Sequence, residues 1–216
     1  MGVLINFLNK AQDLLNLVRF ADFVGPVLLR IYLVPVFFLA GSNKWDPFAE
    51  GGTFNPVEGL EGIANWFGNP DWGLGLPAPI LLAILAWAAE YLGAIALALG
   101  VAVRWTCIPL MFTMVIAMTT VHLDNGWQAL HDLKSPYPAA NAEAAIDRLD
   151  RAKSILEEHG NYGWLTEHGS LVSLNNGIEW AATYFIMLMA LFFIGGGRYL
   201  SVDYWIARKY RIPAPD

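Results

Sequence analysis

The sequence predicts an all-α integral membrane protein: a four-helix bundle with a small extracytoplasmic helical cap and an amino-terminal amphipathic helix. Of its 216 residues, 56% are hydrophobic and 15% are charged, against about 25% charged in an average soluble domain. Four apolar segments are each long enough to cross a hydrocarbon core about 30 Å thick. The predicted spans are 23–43, 78–100, 104–122 and 179–197, with outer loops 44–77 and 123–178, in a single membrane domain over 1–216.

Tryptophan and charge positions support these spans and orient them. Every tryptophan except Trp87 lies at or beyond the end of an apolar segment, where the ring is half buried and its N–H meets polar groups. Basic residues concentrate on one predicted side: Lys10, Arg19, Arg104, Arg198, Arg208, Lys209 and Arg211. By the positive-inside rule both termini are cytoplasmic, in a bacterial inner membrane. The net charge of −6 reflects acidic outer loops and does not indicate nucleic-acid binding.

Three shorter helices are predicted outside the spans. The first is amphipathic and is expected to lie on the cytoplasmic membrane surface. Its apolar face comprises Phe7, Ala11, Leu14, Leu15 and Val18. The second, in "NPVEGLEGIANWF", has Asn55 as N-cap and Pro56 at its first position. The third, "NAEAAIDRLDRAKSILEEHG", begins after Asn141, ends at Gly160 and forms most of the outer cap.

Two charged residues lie within the predicted spans. Arg30 is about two turns into the first span, and Glu90 is near the middle of the second. An isolated charge at such a depth costs about 2.5–3.5 kcal/mol, so the two are expected to pair. Two interpretations remain open. The pair locks two helices, or it forms a polar site for a proton, a quinone head group or an ion.

A second polar group is predicted at the outer ends of three spans. Lys44 ends the first span, His122 ends the third and Glu179 begins the fourth. The three would bring a base, an imidazole and an acid to one membrane level, as a binding site requires. The alternative is structural, because Glu179 favours the dipole at a helix amino terminus and Lys44 reaches the interface along its stem.

A sulfur-rich stripe follows one face of the third span. It contains Cys107, Met111, Met114, Met118 and His122, which are spaced for one helical face. Thiolate and thioether sulfurs suit Cu(I), and imidazole is also an acceptable ligand. Methionine also fills irregular helix contacts, and no CxxC or HExxH motif accompanies the stripe. The alternatives are a copper path and ordinary packing.

Several stretches resemble the DoxX/DoxD family of small four-helix bacterial membrane proteins. They are "LLRIYLVPVFFLAGSNKW", "GLPAPILLAILAWAAEYLGAIALALGVAVRW" and "FFIGGGRYLSVD". These place Arg30, Lys44, Glu90, Arg198 and Asp203 at motif positions. The resemblance implies a membrane subunit of an oxidoreductase or redox-stress assembly, while the long loop after His122 departs from the shorter family form.

The functional hypotheses come from two classes. The first is an oxidoreductase subunit with a quinone-sized polar site, built from Arg30, Glu90, Lys44, His122 and Glu179. Because Cys107 is the only cysteine, thiol exchange would need a partner's cysteines. No catalytic motif or cofactor motif is present, so a partner would supply the redox chemistry. A protein partner is also expected on the outer face. The second hypothesis is a non-enzymatic membrane scaffold, and copper handling is a further alternative.

Overall fold

A computed structural model describes residues 2–210 and confirms the all-α class, with 69% helix and no strand in that range. The α-helices are α1 (Gly2–Asn16), α2 (Val24–Lys44), α3 (Pro56–Gly59), α4 (Glu61–Gly68), α5 (Pro79–Leu99), α6 (Val103–Ala117), α7 (Ala142–His159), α8 (Tyr162–Leu165), α9 (Glu179–Ile194) and α10 (Val202–Tyr210). Short 3-10 helices cover Leu17–Ala21 and Leu123–Asn125, and a π-helix, Met118–His122, extends α6. Arg211, used above to orient the chain, lies outside the described residues.

Within residues 2–210, three helices are long and apolar enough to cross a membrane. They are α2, α5 and the continuous helix Val103–Asn125. The fourth predicted span contains α9, whose 16 residues cover about 24 Å, less than the roughly 20 residues a span usually needs. The chain is therefore a membrane protein with three candidate spans, and its apolar helices indicate contact with a lipid bilayer.

The chain divides into two compact units. The first contains the residues up to Met111 together with those from Met187 onward, and the second is Phe112–Ile186. In the first unit α2 and α5 run antiparallel, since Arg30 near the start of α2 contacts Leu97 near the end of α5. Its fully buried side chains include Leu33, Phe37, Leu60, Leu97, Val103, Cys107, Leu110, Leu188 and Leu191.

Gly41 sets the separation of α2 and α5. A Cβ atom added at this glycine would lie 2.8 Å from the backbone nitrogen of Tyr91 and 2.9 Å from its Cα. Any side chain at position 41 would therefore push the two backbones apart. Small residues permit this kind of close helix contact in membrane proteins, where dispersion rather than the hydrophobic effect joins the helices.

Gly41→Ala is expected to lower the free energy of unfolding by about 1–3 kcal/mol, the usual cost of overpacking. Thermal unfolding of the purified protein in a mild detergent measures the effect. Gly25→Ala is the matched control, because it lies on the same helix and a Cβ there meets nothing within 4 Å. If the two variants unfold at the same temperature, the close contact at Gly41 does not limit helix packing.

The helix predicted in the first outer loop has the expected start but is divided. The Asn55 side chain accepts a hydrogen bond from the Val57 amide at 3.1 Å, and Pro56 is the first helical residue. The predicted N-cap is confirmed. The helix then breaks at Leu60, which separates α3 from α4. The fully buried Leu60 and buried Ala64 pack with Ala83 of α5, so this loop contributes to the core of the first unit.

The second unit is held together by buried amides as much as by apolar packing. Extended segments pair around Leu130 and Leu174. Gln128 accepts from the Ala139 amide at 2.7 Å, and Asn175 donates to the Gln128 carbonyl at 2.7 Å. Helix α7 has the predicted bounds, but the Asn141 side chain makes no capping hydrogen bond. Instead its Oδ1 lies 3.3 Å from Nε2 of His131.

Candidate functional site within the membrane spans

Arg30 is buried and does not pair with Glu90, so the predicted ion pair was wrong. Its guanidinium instead makes four hydrogen bonds to backbone carbonyls. Nε donates to Leu97 at 2.6 Å, Nη2 to Ala98 at 2.9 Å, and Nη1 to Gly196 at 2.8 Å and Leu200 at 2.9 Å. The last carbonyls of a helix lack intrahelical donors and carry partial negative charge, so the end of α5 and the segment after α9 satisfy this cation.

Glu90 pairs with Lys44, the last residue of α2. The Lys44 Nζ donates to Oε2 of Glu90, whose side chain is only 7% exposed. Nζ also lies 3.4 Å from the carbonyl oxygen of Ala40 on its own helix. The ammonium therefore points back toward the middle of α5 rather than out to the interface. Two opposite charges in one buried position balance each other, which explains how α5 carries an acid at mid-span.

Aromatic rings line the contact of α2 and α5 next to this ion pair. Tyr91 stacks on Trp87 with ring centroids 5.2 Å apart and on Phe38 at 5.1 Å. Trp87 in turn packs against Trp45 at 4.6 Å and donates its indole N–H to the Trp45 carbonyl at 2.8 Å. Trp45 and Tyr91 of this row of four rings directly follow Lys44 and Glu90 in the sequence. An ionic group with flat apolar walls is the usual composition of a site for a small ring-containing ligand.

The chain after α9 closes the end of the first unit where Arg30 lies. Asp203 accepts from the amides of Ala102 at 2.6 Å and Val103 at 2.8 Å, which caps the start of α6. Ser201 donates to the Gly100 carbonyl at 2.9 Å. Arg198 pairs with Asp22 at 2.6 Å, and this hydrogen bond raises the pKa of Arg198. Two of the motif positions above therefore have structural contacts here. Asp203 caps the start of α6, and Arg198 binds Asp22 just before α2.

His122 and Glu179 each have a partner within the second unit. Nδ1 of His122 lies 2.8 Å from the Asn176 carbonyl oxygen. Because a carbonyl only accepts, Nδ1 carries the hydrogen, and in the neutral ring Nε2 keeps its lone pair. Glu179 accepts from the Ala129 amide at 2.9 Å and is the first residue of α9. Glu179 therefore holds the loop segment at Ala129 and complements the helix dipole. Its membership of a ligand site stays a prediction, as does that of His122.

The sulfur stripe is shielded along its length. Cys107 is fully buried, and Met111, Met114, Met118 and His122 are half-buried. Its last part is a π-helix, Met118–His122, rather than an α-helix. The hydroxyls of Thr119 and Thr120 donate to carbonyls one turn back, at 2.9 Å and 2.7 Å, which competes with regular helix bonding. No group of three or more His, Cys, Asp or Glu in residues 2–210 is placed to hold a metal, and copper binding stays a prediction.

The fold and the buried Lys44–Glu90 pair define a helical membrane protein with an acid–base pair inside its spans. The model of the DoxX family matches residues 25–123, and this confirms the predicted resemblance. The matched region runs from the start of α2 through α6 and includes Arg30, Lys44 and Glu90. No curated protein and no solved structure matches the chain.

Proposed function

We propose that this protein belongs to the DoxX family and is the inner-membrane subunit of an oxidoreductase or redox-stress assembly. Helix α9 is its fourth span, lengthened by Ile178 before it and by the non-helical residues Gly195–Gly197 after it. Both termini are cytoplasmic, as the distribution of Lys and Arg supports. The residue motifs and the matched DoxX region support the assembly type.

The observation that carries the proposal is the buried Lys44–Glu90 pair beside the ring row of Phe38, Tyr91, Trp87 and Trp45. The carbonyls of a quinone head group accept hydrogen bonds and the hydroxyls of its reduced quinol form donate them, so its site needs a donor and an acceptor beside aromatic walls. Lys44 supplies N–H donors, Glu90 supplies the acceptor, and Trp87 and Tyr91 supply the walls. Arg30 is not part of this site, because its guanidinium is committed to four carbonyls.

Glu90→Gln is expected to reduce quinone retention by about tenfold, because it removes the charge that holds Lys44 while keeping the side-chain shape. The protein is purified in mild detergent, and its quinone content is measured by extraction and chromatography. Glu143→Gln, an exposed glutamate on α7, is the matched control. A protein that yields no quinone and fails to bind a labelled quinone analogue would exclude the site.

The alternative is a scaffold that docks a partner on its outer face. Leu130 and Leu174 lie opposite each other in the second unit. Leu174 is 59% exposed and Val172 is 60% exposed. Exposed apolar side chains grouped in this way are typical of interaction surfaces. The scaffold needs the Lys44–Glu90 pair only for mutual neutralisation, and a charge exchange separates the two functions, as described in the Discussion.

A further inference from the structure

One end of the first unit carries two amphipathic helices whose apolar side chains are largely exposed. On α1, Leu4 is 63% exposed, Phe7 67% and Leu15 62%. On α10, Trp205 and Ile206 are each 50% exposed. Apolar surface of this extent on two helices requires cover by lipid or by another macromolecule.

Both helices are fixed beside the ends of membrane spans. Asp203 at the start of α10 binds the amides that begin α6, so α10 leaves the protein at the end of that span. Asp22, which precedes α2, pairs with Arg198, and Phe23 contacts the Tyr199 ring at 5.3 Å. These contacts connect the segment between α1 and α2 to the segment that precedes α10. The two apolar faces are thus continuous with the lipid-facing spans, which favours lipid over a soluble partner.

The charge of this end is opposite to that of the whole chain. Arg208 lies 5.6 Å from the centroid of the Trp205 ring, and Lys209 lies 5.1 Å from that of Tyr210. The two cations are therefore held beside aromatic rings at the membrane interface, in a protein of net charge −6. Nearby acids Asp22 and Asp203 are occupied by Arg198 and by backbone amides. The arrangement is complementary to negatively charged head groups.

We propose that α10, together with α1, forms a surface selective for anionic phospholipid. Trp205 and Ile206 insert among acyl chains, α1 lies in the same leaflet, and Arg208 and Lys209 bind lipid phosphates. Aromatic and aliphatic insertion provides affinity for any bilayer, whereas the two cations provide the selectivity for anionic lipid. The surface is separate from the Lys44–Glu90 pair and does not depend on a quinone function.

The test reconstitutes the full-length protein in vesicles containing equal amounts of phosphatidylcholine and phosphatidylglycerol. After gentle detergent extraction, mass spectrometry measures the ratio of the two lipids that remain bound. The wild-type protein should retain more phosphatidylglycerol than the vesicles contain. Each interfacial cation contributes about a fivefold preference at most, so Arg208→Gln/Lys209→Gln should lower the enrichment by about twofold or more. High salt should also lower the phosphatidylglycerol enrichment of the wild-type protein, because it screens the two cations.

The control variant is Arg151→Gln/Lys153→Gln on α7, which removes the same charge from the second unit and should leave the lipid ratio unchanged. Hydrogen exchange of α1 and α10 amides gives a second measurement that does not depend on extraction. Exchange should slow when phosphatidylglycerol is added to phosphatidylcholine vesicles. Equal enrichment in both double variants, or exchange that is indifferent to phosphatidylglycerol, would overturn the proposal and assign the face to neutral lipid or to a protein partner.

Discussion

Arg30→Ala is expected to lower the free energy of unfolding by at least about 3 kcal/mol, since hydrogen bonds from a charged donor contribute about 1.5–3 kcal/mol each. The guanidinium serves carbonyls from two separate regions, Leu97 and Ala98 at the end of α5 and Gly196 and Leu200 after α9. Its removal takes the Arg30 donor from the carbonyls of Ala98, Gly196 and Leu200, whereas the Leu97 carbonyl still accepts from the Gly100 amide at 3.2 Å. The thermal unfolding midpoint in mild detergent is the measurement.

Two further variants test why arginine is needed. Arg30→Lys keeps the positive charge but has no planar fork, so it should recover only a minor part of the lost stability. Arg104→Ala is the matched control, because Arg104 is exposed and its guanidinium donates to the Phe193 carbonyl at 2.6 Å. It should cost much less. Full stability of Arg30→Lys would mean that the charge matters and the geometry of the four bonds does not.

Reversing one charge of the Lys44–Glu90 pair is expected to cost about 3–5 kcal/mol, because it leaves like charges together in a buried position. Lys44→Glu places two carboxylates there, and Glu90→Lys places two ammonium groups. The double exchange Lys44→Glu/Glu90→Lys restores neutralisation and should recover most of the lost stability. Unfolding midpoints of the four proteins form a double-mutant cycle that isolates the interaction of the pair.

Quinone retention in the same four proteins separates the two functions. In a head-group site the donor and the acceptor have defined positions, so the exchanged pair should remain folded and still fail to retain quinone. In a scaffold the exchanged pair should support partner assembly as well as the natural pair does. Additive destabilisation in the cycle, with no recovery in the double variant, would contradict the pairing itself.

Span positions followed from the sequence because long apolar runs leave few alternatives in a bilayer. The ends of α2 fall close to the predicted positions for this reason. Helix α7 ends before Gly160 as predicted, and it begins after Asn141 although that side chain makes no capping hydrogen bond. The shortness of α9 did not follow, because "GGG" is apolar by composition and only the backbone shows that Gly195 and Gly197 adopt positive φ values of 79° and 88°. Composition measures polarity, whereas helix ends depend on backbone conformation.

The partner of each buried charge was harder to predict than its existence. The predicted Arg30–Glu90 pair took only side chains into account. The backbone carbonyls at the end of α5 also carry partial negative charge, and this is enough to hold a guanidinium. Lys44 was expected at the interface, because it is the last residue of α2. Its position in the sequence does not reveal that its side chain turns back toward Glu90 in the middle of α5. The capping role of Asp203 had a partial signal in the sequence, since an acid at the start of a short helix is able to cap a neighbouring helix. The sequence does not reveal that this neighbour is α6.

The contacts of Arg30 also constrain the order of events during synthesis. Two of its acceptors, Gly196 and Leu200, lie 166 and 170 positions further along the chain. At bacterial or eukaryotic elongation rates these residues emerge roughly 10–30 s after Arg30. Throughout that interval the Arg30 guanidinium lacks these two acceptors. A chain terminated before residue 196 never completes these bonds, so membrane proteases should recognise truncated products by their loosely held amino-terminal span.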